Sequence, residues 1–144
     1  MIPGAFAYHR PSSVKEAVGL LAQFGDDGRA LAGGHSLIPM MKLRLATPAN
    51  LVDLGGIADL KGVRTDGNDI VIGAMTTQQD VIGSPLLGDK IPILRETSEQ
   101  IADPQVRYLG TLGGNVANGD PGNDMPAVML CLRSEERRVG KECA

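Results

Sequence analysis

The stretch that decides the fold lies near the end of the chain and reads IADPQVRYLGTLGGNVANGDPGNDMPA, residues 101–127. At its centre the glycine pair Gly113-Gly114 is flanked by the polar side chains of Thr111 and Asn115. Glycine adopts backbone conformations that other residues avoid, and it lets a ligand approach the main chain closely. The stretch therefore predicts a glycine-rich loop with donors beside it, and Asp124 adds a carboxylate suited to the hydroxyl pair of a ribose.

A second glycine pair occurs far upstream in AGGHSL, residues 32–37, after a predicted strand over residues 29–32. Successive backbone N–H groups in such a turn can converge into a concave nest for an anion, and Ser36 adds a hydroxyl donor. One glycine pair usually marks a plain tight turn. With two such pairs beside polar residues, a ligand site and plain turns are about equally well supported. The ligand that such a site favours is a phosphate-bearing dinucleotide.

Other readings of these residues fit less well. The run Gly34-His35-Ser36 begins like a nucleophile elbow, but Ile38 stands where that motif needs glycine. The only histidines are His9 and His35, which leaves no evident acid–histidine pair for a serine hydrolase and makes a poor zinc site. Residues 120–124 lack the alternating ligands and closing Glu of an EF-hand loop, so calcium is the weaker interpretation. The dinucleotide fingerprint of the Rossmann fold is also absent.

The rest of the chain predicts a mixture of helices and strands. Ser13 and Glu16 have the spacing of a capping box before an apolar face formed by Val14, Ala17, Val18 and Leu21. The predicted helices are 13–24, a short one ending near Gly83, 92–101, with Ile93, Leu94, Thr97 and Ile101 inward, and one beginning near Asp124; the predicted strands are 29–32, 50–54, 63–65 and 70–74. This order indicates an α/β or α+β protein, with a boundary between lobes near residues 55–62.

Composition and charge exclude several classes of function. The 144 residues carry a net charge of −3 with scattered Lys and Arg, which argues against a nucleic-acid binder and against a basic membrane-surface helix. No apolar run approaches the length of a membrane span. Two cysteines make neither a disulfide framework nor a zinc pattern, and no signal-peptide order is visible, so a cytoplasmic location is expected.

With both glycine clusters in view, the chain resembles the FAD-binding medium subunit of the molybdenum hydroxylases, which includes the xanthine dehydrogenase FAD-binding family, and is closest to the aerobic carbon monoxide dehydrogenase branch. The matching segments are PGAFAYHRPSSVKEAVGLL (3–21), AGGHSLIPMMKLRLA (32–46) and the run over residues 101–127. This resemblance implies an α+β fold, the two-lobed FAD-binding domain of the vanillyl-alcohol-oxidase/xanthine-dehydrogenase type, with its C-terminal part missing. The expected lobes are residues 1–58 and 59–132.

The resemblance also implies a non-covalently bound FAD and the residues that hold it. The first cluster would cradle the pyrophosphate, the second would contact the cofactor, Asp124 would hold the adenosine portion, and two residues before the second cluster would line the pocket. In this sequence the implied cofactor-binding residues are Ala32, Gly33, Gly34, His35, Ser36, Leu37, Ile101, Ala102, Thr111, Gly114, Asn115, Asn118 and Asp124.

In that family the subunit transfers electrons. Substrate is oxidised at a molybdenum cofactor on a large subunit, and electrons pass through iron–sulfur clusters on a small subunit to FAD and then to an acceptor. The resemblance therefore implies an oxidoreductase with large molybdenum and small iron–sulfur partner subunits. Two alternatives stay open: a non-enzymatic binding or assembly fragment, and a stand-alone flavin oxidoreductase of the same superfamily.

The last twelve residues, RSEERRVGKECA (133–144), differ from the body of the chain. They are highly charged and do not continue the apolar face of the helix before them. They resemble a vector-derived sequence, so we expect a non-native tail outside the fold; a natural charged terminus is the alternative.

Overall fold

A computed structural model of the chain describes residues 2–134 and contains both strands and helices. The strands are β1 (Ala7–His9), β2 (Gly28–Leu31), β3 (Asn50–Asp53), β4 (Val63–Asp66) and β5 (Asp69–Ile72). The helices are α1 (Val14–Phe24), α2 (Leu37–Lys42), α3 (Gln78–Gly83), α4 (Pro85–Lys90), α5 (Pro92–Gln100), α6 (Pro104–Leu109), α7 (Leu112–Asn118) and α8 (Asp124–Cys131). The predicted α+β class is confirmed. The sequence did not predict β1, α2 or α4.

The first sheet has the order β1-β3-β2, and both pairings are parallel. Because all three strands run in the same direction, their carboxyl ends lie at one edge of the sheet. Leu31 at the end of β2 pairs with Asp53 at the end of β3, and the chain leaves β2 directly into the first glycine cluster. That cluster therefore lies outside the carboxyl ends of parallel strands, where open α/β sheets usually bind ligands.

Helix α1 packs against this sheet. It forms as predicted because Ser13 caps its first turn, accepting from the Glu16 amide at 3.2 Å, while Gly25 ends it with a φ of +52°. Ala17 is buried with Val52 and Ile57 in the first hydrophobic cluster. The prediction for Val18 was wrong, since this residue is 40% exposed.

Strands β4 and β5 form the predicted antiparallel hairpin, which turns at Gly67 with a φ of +59°. The hairpin packs with helices α3, α4, α5, α7 and α8 around a second hydrophobic cluster. The buried members of that cluster are Val81, Leu87, Leu94, Leu112 and Met125.

Helix α5 turns a different face inward from the one predicted. Leu94 is 1% exposed and Ile101 packs at the edge of the cluster, but Ile93 is 41% exposed, so its inward placement was wrong. Ser98 takes an inward position because its hydroxyl donates to the buried amide oxygen of Gln78 at 2.8 Å. A buried polar side chain is tolerated where it has such a partner.

The segment 103–118 is more helical than the sequence predicted. Pro104 does stop α5, but it also begins α6, because Asp103 caps the new helix by accepting from the Val106 amide at 3.0 Å. The second glycine cluster is not a loop: Gly113 and Gly114 form the first turn of α7, after the N-cap Thr111.

Three expectations stay predictions. The division into lobes 1–58 and 59–132 stays untested, as does the cytoplasmic location. The predicted tail at 133–144 lies outside the described residues except for Arg133 and Ser134.

Within residues 2–134, no helix is long and apolar enough to cross a membrane, and no three His, Cys, Asp or Glu side chains are grouped as metal ligands.

Candidate functional site

The first glycine cluster presents a row of free backbone donors. Among the described residues, none of the five amides from Gly33 to Leu37 donates a hydrogen bond. The turn is fixed by Ile38, whose amide donates to the Gly34 carbonyl at 2.9 Å. The His35 ring closes back on the same turn, with Nδ1 2.9 Å from the Gly33 carbonyl oxygen. Unpaired amides in succession form the kind of concavity that binds an anion.

Each glycine of this cluster is required for a different reason. Gly34 has a φ of +77°, in the left-handed region that other residues rarely adopt. Gly33 lies against the chain between α6 and α7: a Cβ atom there would come within 2.2 Å of the Leu109 carbonyl oxygen and 2.8 Å of the Gly110 Cα. The two glycine-rich segments therefore meet backbone to backbone.

The backbone amides at the start of α7, in the second glycine cluster, are already paired. The Leu112 amide donates to the Thr76 carbonyl at 2.9 Å, the Gly113 amide donates to Ala74 at 2.9 Å, and the Gly114 amide donates to Thr111 Oγ1 at 3.1 Å. The first two bonds attach the start of α7 to the segment before α3, and the third caps α7 itself. The glycines serve close packing, because a Cβ on Gly113 would lie 2.6 Å from the Ala74 carbonyl oxygen.

Thr111→Val should destabilise the N-terminus of α7. The substitution keeps the volume of a 4%-exposed side chain but removes the oxygen that caps α7. We expect the free energy of unfolding to fall by about 1 kcal/mol, the usual cost of losing an N-cap. Urea unfolding measures the change. Thr111→Ser, which keeps the hydroxyl, is the control, and an equal loss in both variants would contradict the capping role.

Asn115 lies one residue beyond these glycines with part of its side chain unpaired. Its Oδ1 atom is buried and has no hydrogen-bond partner among the described residues. Its backbone carbonyl accepts from Asn123 Nδ2 at 2.9 Å, which joins α7 to the start of α8. A buried polar atom without a partner is costly, and a bound ligand with a hydrogen-bond donor would satisfy it.

An open pocket of about 410 Å³ lies between the first cluster and the end of α7. Three of the predicted site residues line it: His35, Ser36 and Asn118. Sequence reasoning did not assign the four others to the cofactor site, and these are Pro39, Met40, Asp120 and Asn123. The signal for Asp120 and Asn123 was present in NGDPGND, but it was weighed only as a set of calcium ligands.

Other predicted residues lie beside the pocket or away from its walls. Ala32 is packed close to Gly114, where an added Cβ would be 3.3 Å from the Ala32 Cβ. Ile101 and Ala102 form the exit from α5 and do not line the pocket. Asp124 is an exposed residue in the first turn of α8 and does not line it either.

Arg107 braces the turn between α5 and α6. Its Nη1 atom donates to the carbonyls of Glu99, Ile101 and Ala102 at 3.4, 3.1 and 3.4 Å. These carbonyls end α5, so one guanidinium holds the turn in which Ala102 has a φ of +44°. The residue thereby ties the end of α5 to α6.

Asp53 lies at the end of β3, beside the end of β2 from which the chain enters the first glycine cluster. Its carboxylate accepts from the Gly55 amide at 2.8 Å and from the Tyr8 hydroxyl, and Arg10 Nε lies 3.8 Å away. The hydrogen bond to Asp53 raises the pKa of Tyr8, because the carboxylate stabilises the protonated phenol. These groups satisfy one another and hold β1 to β3.

Residues 4–141 match a family described as the FAD binding domain in molybdopterin dehydrogenase. The chain belongs to this family. The FAD-binding identity expected from the resemblance is thereby confirmed, and the family assignment rests on almost the whole length of the chain.

Similar proteins of known function are subunits of dehydrogenases. The chain is 64% identical to the carbon monoxide dehydrogenase medium chain of Afipia carboxidovorans over 144 residues, all of this chain and 50% of that one. It is 40% identical to the glyceraldehyde dehydrogenase medium chain of Sulfolobus acidocaldarius over 93% of this chain and 47% of that one. The chain thus spans about half the length of the curated relatives it matches.

A solved structure shows the same fold. The cyanide-inactivated form of a Cu,Mo-CO dehydrogenase superposes with a TM-score of 0.91 at 67% identity, covering 92% of this chain and 46% of the other. The expected two-lobed FAD-domain fold is confirmed by this similarity.

The site of this chain fits such a cofactor. The first cluster offers five unpaired amides for a diphosphate, and the buried Oδ1 atom of Asn115 lacks a donor. Glycine at 33, 34 and 114 keeps the surrounding main chains close, where side chains would collide. In the second cluster, Asn115 Oδ1 is unpaired and Asn118 lines the pocket, whereas the amides of Gly113 and Gly114 are already paired.

Proposed function

We propose that the chain is the FAD-binding part of an electron-transfer subunit of a molybdenum hydroxylase, with the diphosphate of FAD on the amides of Gly33 to Leu37. The observation that carries the proposal is this run of unpaired donors outside the carboxyl end of β2. A diphosphate bears two charges and many acceptor oxygens, so several converging N–H groups suit it. When bound, FAD supplies the redox chemistry and passes electrons from iron–sulfur clusters to an acceptor.

Among the other predicted residues, some offer hydrogen-bonding groups to the cofactor and others position those groups. Ser36 and His35 add side-chain donors at the pocket wall, and Asn118 faces them from the end of α7. Asn115 offers a buried acceptor to a hydroxyl or amine of the cofactor. Gly114 and Thr111 position these groups, because Thr111 caps α7 and Gly114 leaves room for Ala32.

The partners that we propose are a large molybdenum subunit and a small iron–sulfur subunit, which the naming of the relatives as medium chains supports. Those relatives act on unlike molecules, since one is named for carbon monoxide and another for glyceraldehyde. A shared FAD segment among such different enzymes supports the view that the substrate is selected on another subunit. Co-purification with molybdenum and iron–sulfur subunits tests this assembly.

Gly34→Val should lower FAD affinity at least about tenfold. The left-handed φ of +77° becomes strained, and the new Cβ would lie 2.7 Å from Ile38 Cδ1, so the turn that aims the amides must change. Fluorescence titration of FAD with the purified variant measures the effect. Gly67→Val is a matched control, because Gly67 also has a positive φ, +59°, but lies in the β4–β5 turn with nothing within 4 Å of an added Cβ.

The control distinguishes the effect of backbone strain on stability from the loss of FAD binding. We expect Gly67→Val to be less stable but to bind FAD like the unchanged chain. Equal FAD affinity in the Gly34→Val variant and the unchanged chain would overturn the cradle. A chain that binds no flavin at all would instead favour an assembly fragment.

A further inference from the structure

The guanidinium of Arg107 is directed at main-chain atoms and not at another side chain. Its Nη1 atom donates to the carbonyls of Glu99, Ile101 and Ala102, each at 3.4 Å or less. Among residues 2–134, the Ile101 and Ala102 carbonyls accept no other hydrogen bond. The last carbonyls of a helix have no partner within it, so this one cation satisfies the end of α5.

The turn that Arg107 holds is strained in two places. Ala102 has a φ of +44°, in the left-handed region that a residue with a Cβ atom rarely adopts. The Nε atom of Arg107 is buried and has no hydrogen-bond partner among the described residues. Both features are costly, so the surrounding structure must hold them in place. Backbone strain of this kind occurs preferentially at sites that a function requires.

The helix that follows this turn ends against the first glycine cluster. Helix α6 has only six residues and begins at Pro104, directly after its N-cap Asp103. At its other end, a Cβ atom on Gly33 would lie 2.8 Å from the Gly110 Cα and closer still to the Leu109 carbonyl oxygen. A helix of six residues is roughly 9 Å long, so a change of direction at its start moves its end.

We propose that Arg107 is a positioning residue for the FAD site, because the turn that it holds at Ala102 orients α6 so that the end of α6 supports the first glycine cluster. Neither Arg107 nor Ala102 lines the pocket, so the effect reaches the unpaired amides through the main chain. The bonds of Arg107 begin from α5, which Leu94 anchors in the second hydrophobic cluster, whereas Gly33 follows β2 of the first sheet. This inference rests on the proposed FAD function.

Fluorescence titration of FAD with Arg107→Met tests the role on the 144-residue chain. Methionine keeps an apolar stem but has no donor, so the carbonyls at the end of α5 lose their partner and the turn loses its support. We expect FAD to bind at least about tenfold more weakly, because hydrogen bonds from a charged group are strong and the loss of one suffices for a tenfold change. Arg95→Met is the matched control, since it removes an exposed guanidinium of α5 that pairs with Glu99 at 3.1 Å, and it should leave FAD affinity unchanged.

The double variant Arg107→Met, Ala102→Gly distinguishes positioning from direct attraction of the diphosphate. Glycine adopts a positive φ without strain, so the turn can form without the guanidinium, and FAD affinity should return to within about threefold of that of the unchanged chain. A cation that attracted the diphosphate directly would not be replaced by this glycine. Ala102→Val tests the turn with Arg107 present: a β-branched residue is strongly disfavoured at a φ of +44°, so FAD should again bind more weakly.

The outcomes distinguish this role from the proposed function. Unchanged FAD affinity in Arg107→Met, or a loss that Ala102→Gly does not restore, would overturn the positioning role while leaving the cradle intact. Circular dichroism establishes that the variants are folded. If Arg107→Met does not fold, Ala102→Val decides, and unchanged FAD affinity in that variant would overturn the role. An unchanged chain that binds no FAD would contradict the proposed function and the role of Arg107 with it.

Discussion

Gly33→Ala should lower the free energy of unfolding by about 3 kcal/mol, at the upper end of the usual cost of overpacking. The added Cβ would lie 2.2 Å from the Leu109 carbonyl oxygen and 2.8 Å from the Gly110 Cα. These are main-chain atoms at the end of α6, so no side-chain rotation relieves the collision. The first glycine cluster must move away from the α6–α7 junction, and FAD affinity should fall with it.

Urea unfolding of Gly33→Ala and Gly19→Ala provides the comparison. Gly19 lies within α1, where an added Cβ meets nothing within 4 Å. Alanine in a helix interior is favoured over glycine by about 0.5–1 kcal/mol, so this control should be slightly more stable than the unchanged chain. Similar stability changes in both variants would show that the close approach at Gly33 is not what holds the two segments together.

Leu94→Ala should cost about 2–5 kcal/mol, the range observed for emptying a buried leucine site. Leu94 is 1% exposed at the centre of the second hydrophobic cluster. That cluster also contains Leu112, the first residue of α7, so its loss should loosen the helix that carries Asn115 and Asn118.

The neighbouring residue supplies the control for this prediction. Ile93→Ala removes a similar side chain that is 41% exposed, and its expected cost is below about 1 kcal/mol. Thermal or urea unfolding of both variants decides the matter. A larger loss for Ile93→Ala would mean that α5 buries the face originally predicted from the sequence.

The elements that could be predicted carry strong local signals. Helix α1 has a capping serine at one end and a closing glycine at the other, and the β4–β5 hairpin has Asp66-Gly67-Asn68 at its turn. Each signal acts within a few residues, so the sequence contains enough to identify it.

The features that were missed depend on distant partners. Ile93 was wrongly placed inward, and the inward position of Ser98 was not predicted because it requires Gln78, twenty residues away. Helix α7 begins in a glycine pair that disfavours helix, and it forms where Ala74, Thr76 and Thr111 accept its first amides. Tertiary bonds of this kind override local propensity.

The candidate site likewise contains features that the sequence predicted and features that it did not. The first glycine cluster was predicted as a cradle from its sequence, and its amides are unpaired. The Gly113-Gly114 pair was predicted as a loop, but it lies in the first turn of α7, where the Ala74 carbonyl and the Thr111 hydroxyl accept its amides. Asp120 was not assigned to the site because only the fold brings it to the same pocket as His35.

Competition of ADP and riboflavin for bound FAD tests the central claim most directly. The proposed contacts lie on the phosphate and adenosine side of the cofactor, so ADP should displace FAD from the purified chain with a one-to-one stoichiometry. Riboflavin, which lacks phosphate, should not displace it at the same concentration. Displacement by riboflavin but not by ADP would contradict a diphosphate cradle at Gly33 to Leu37.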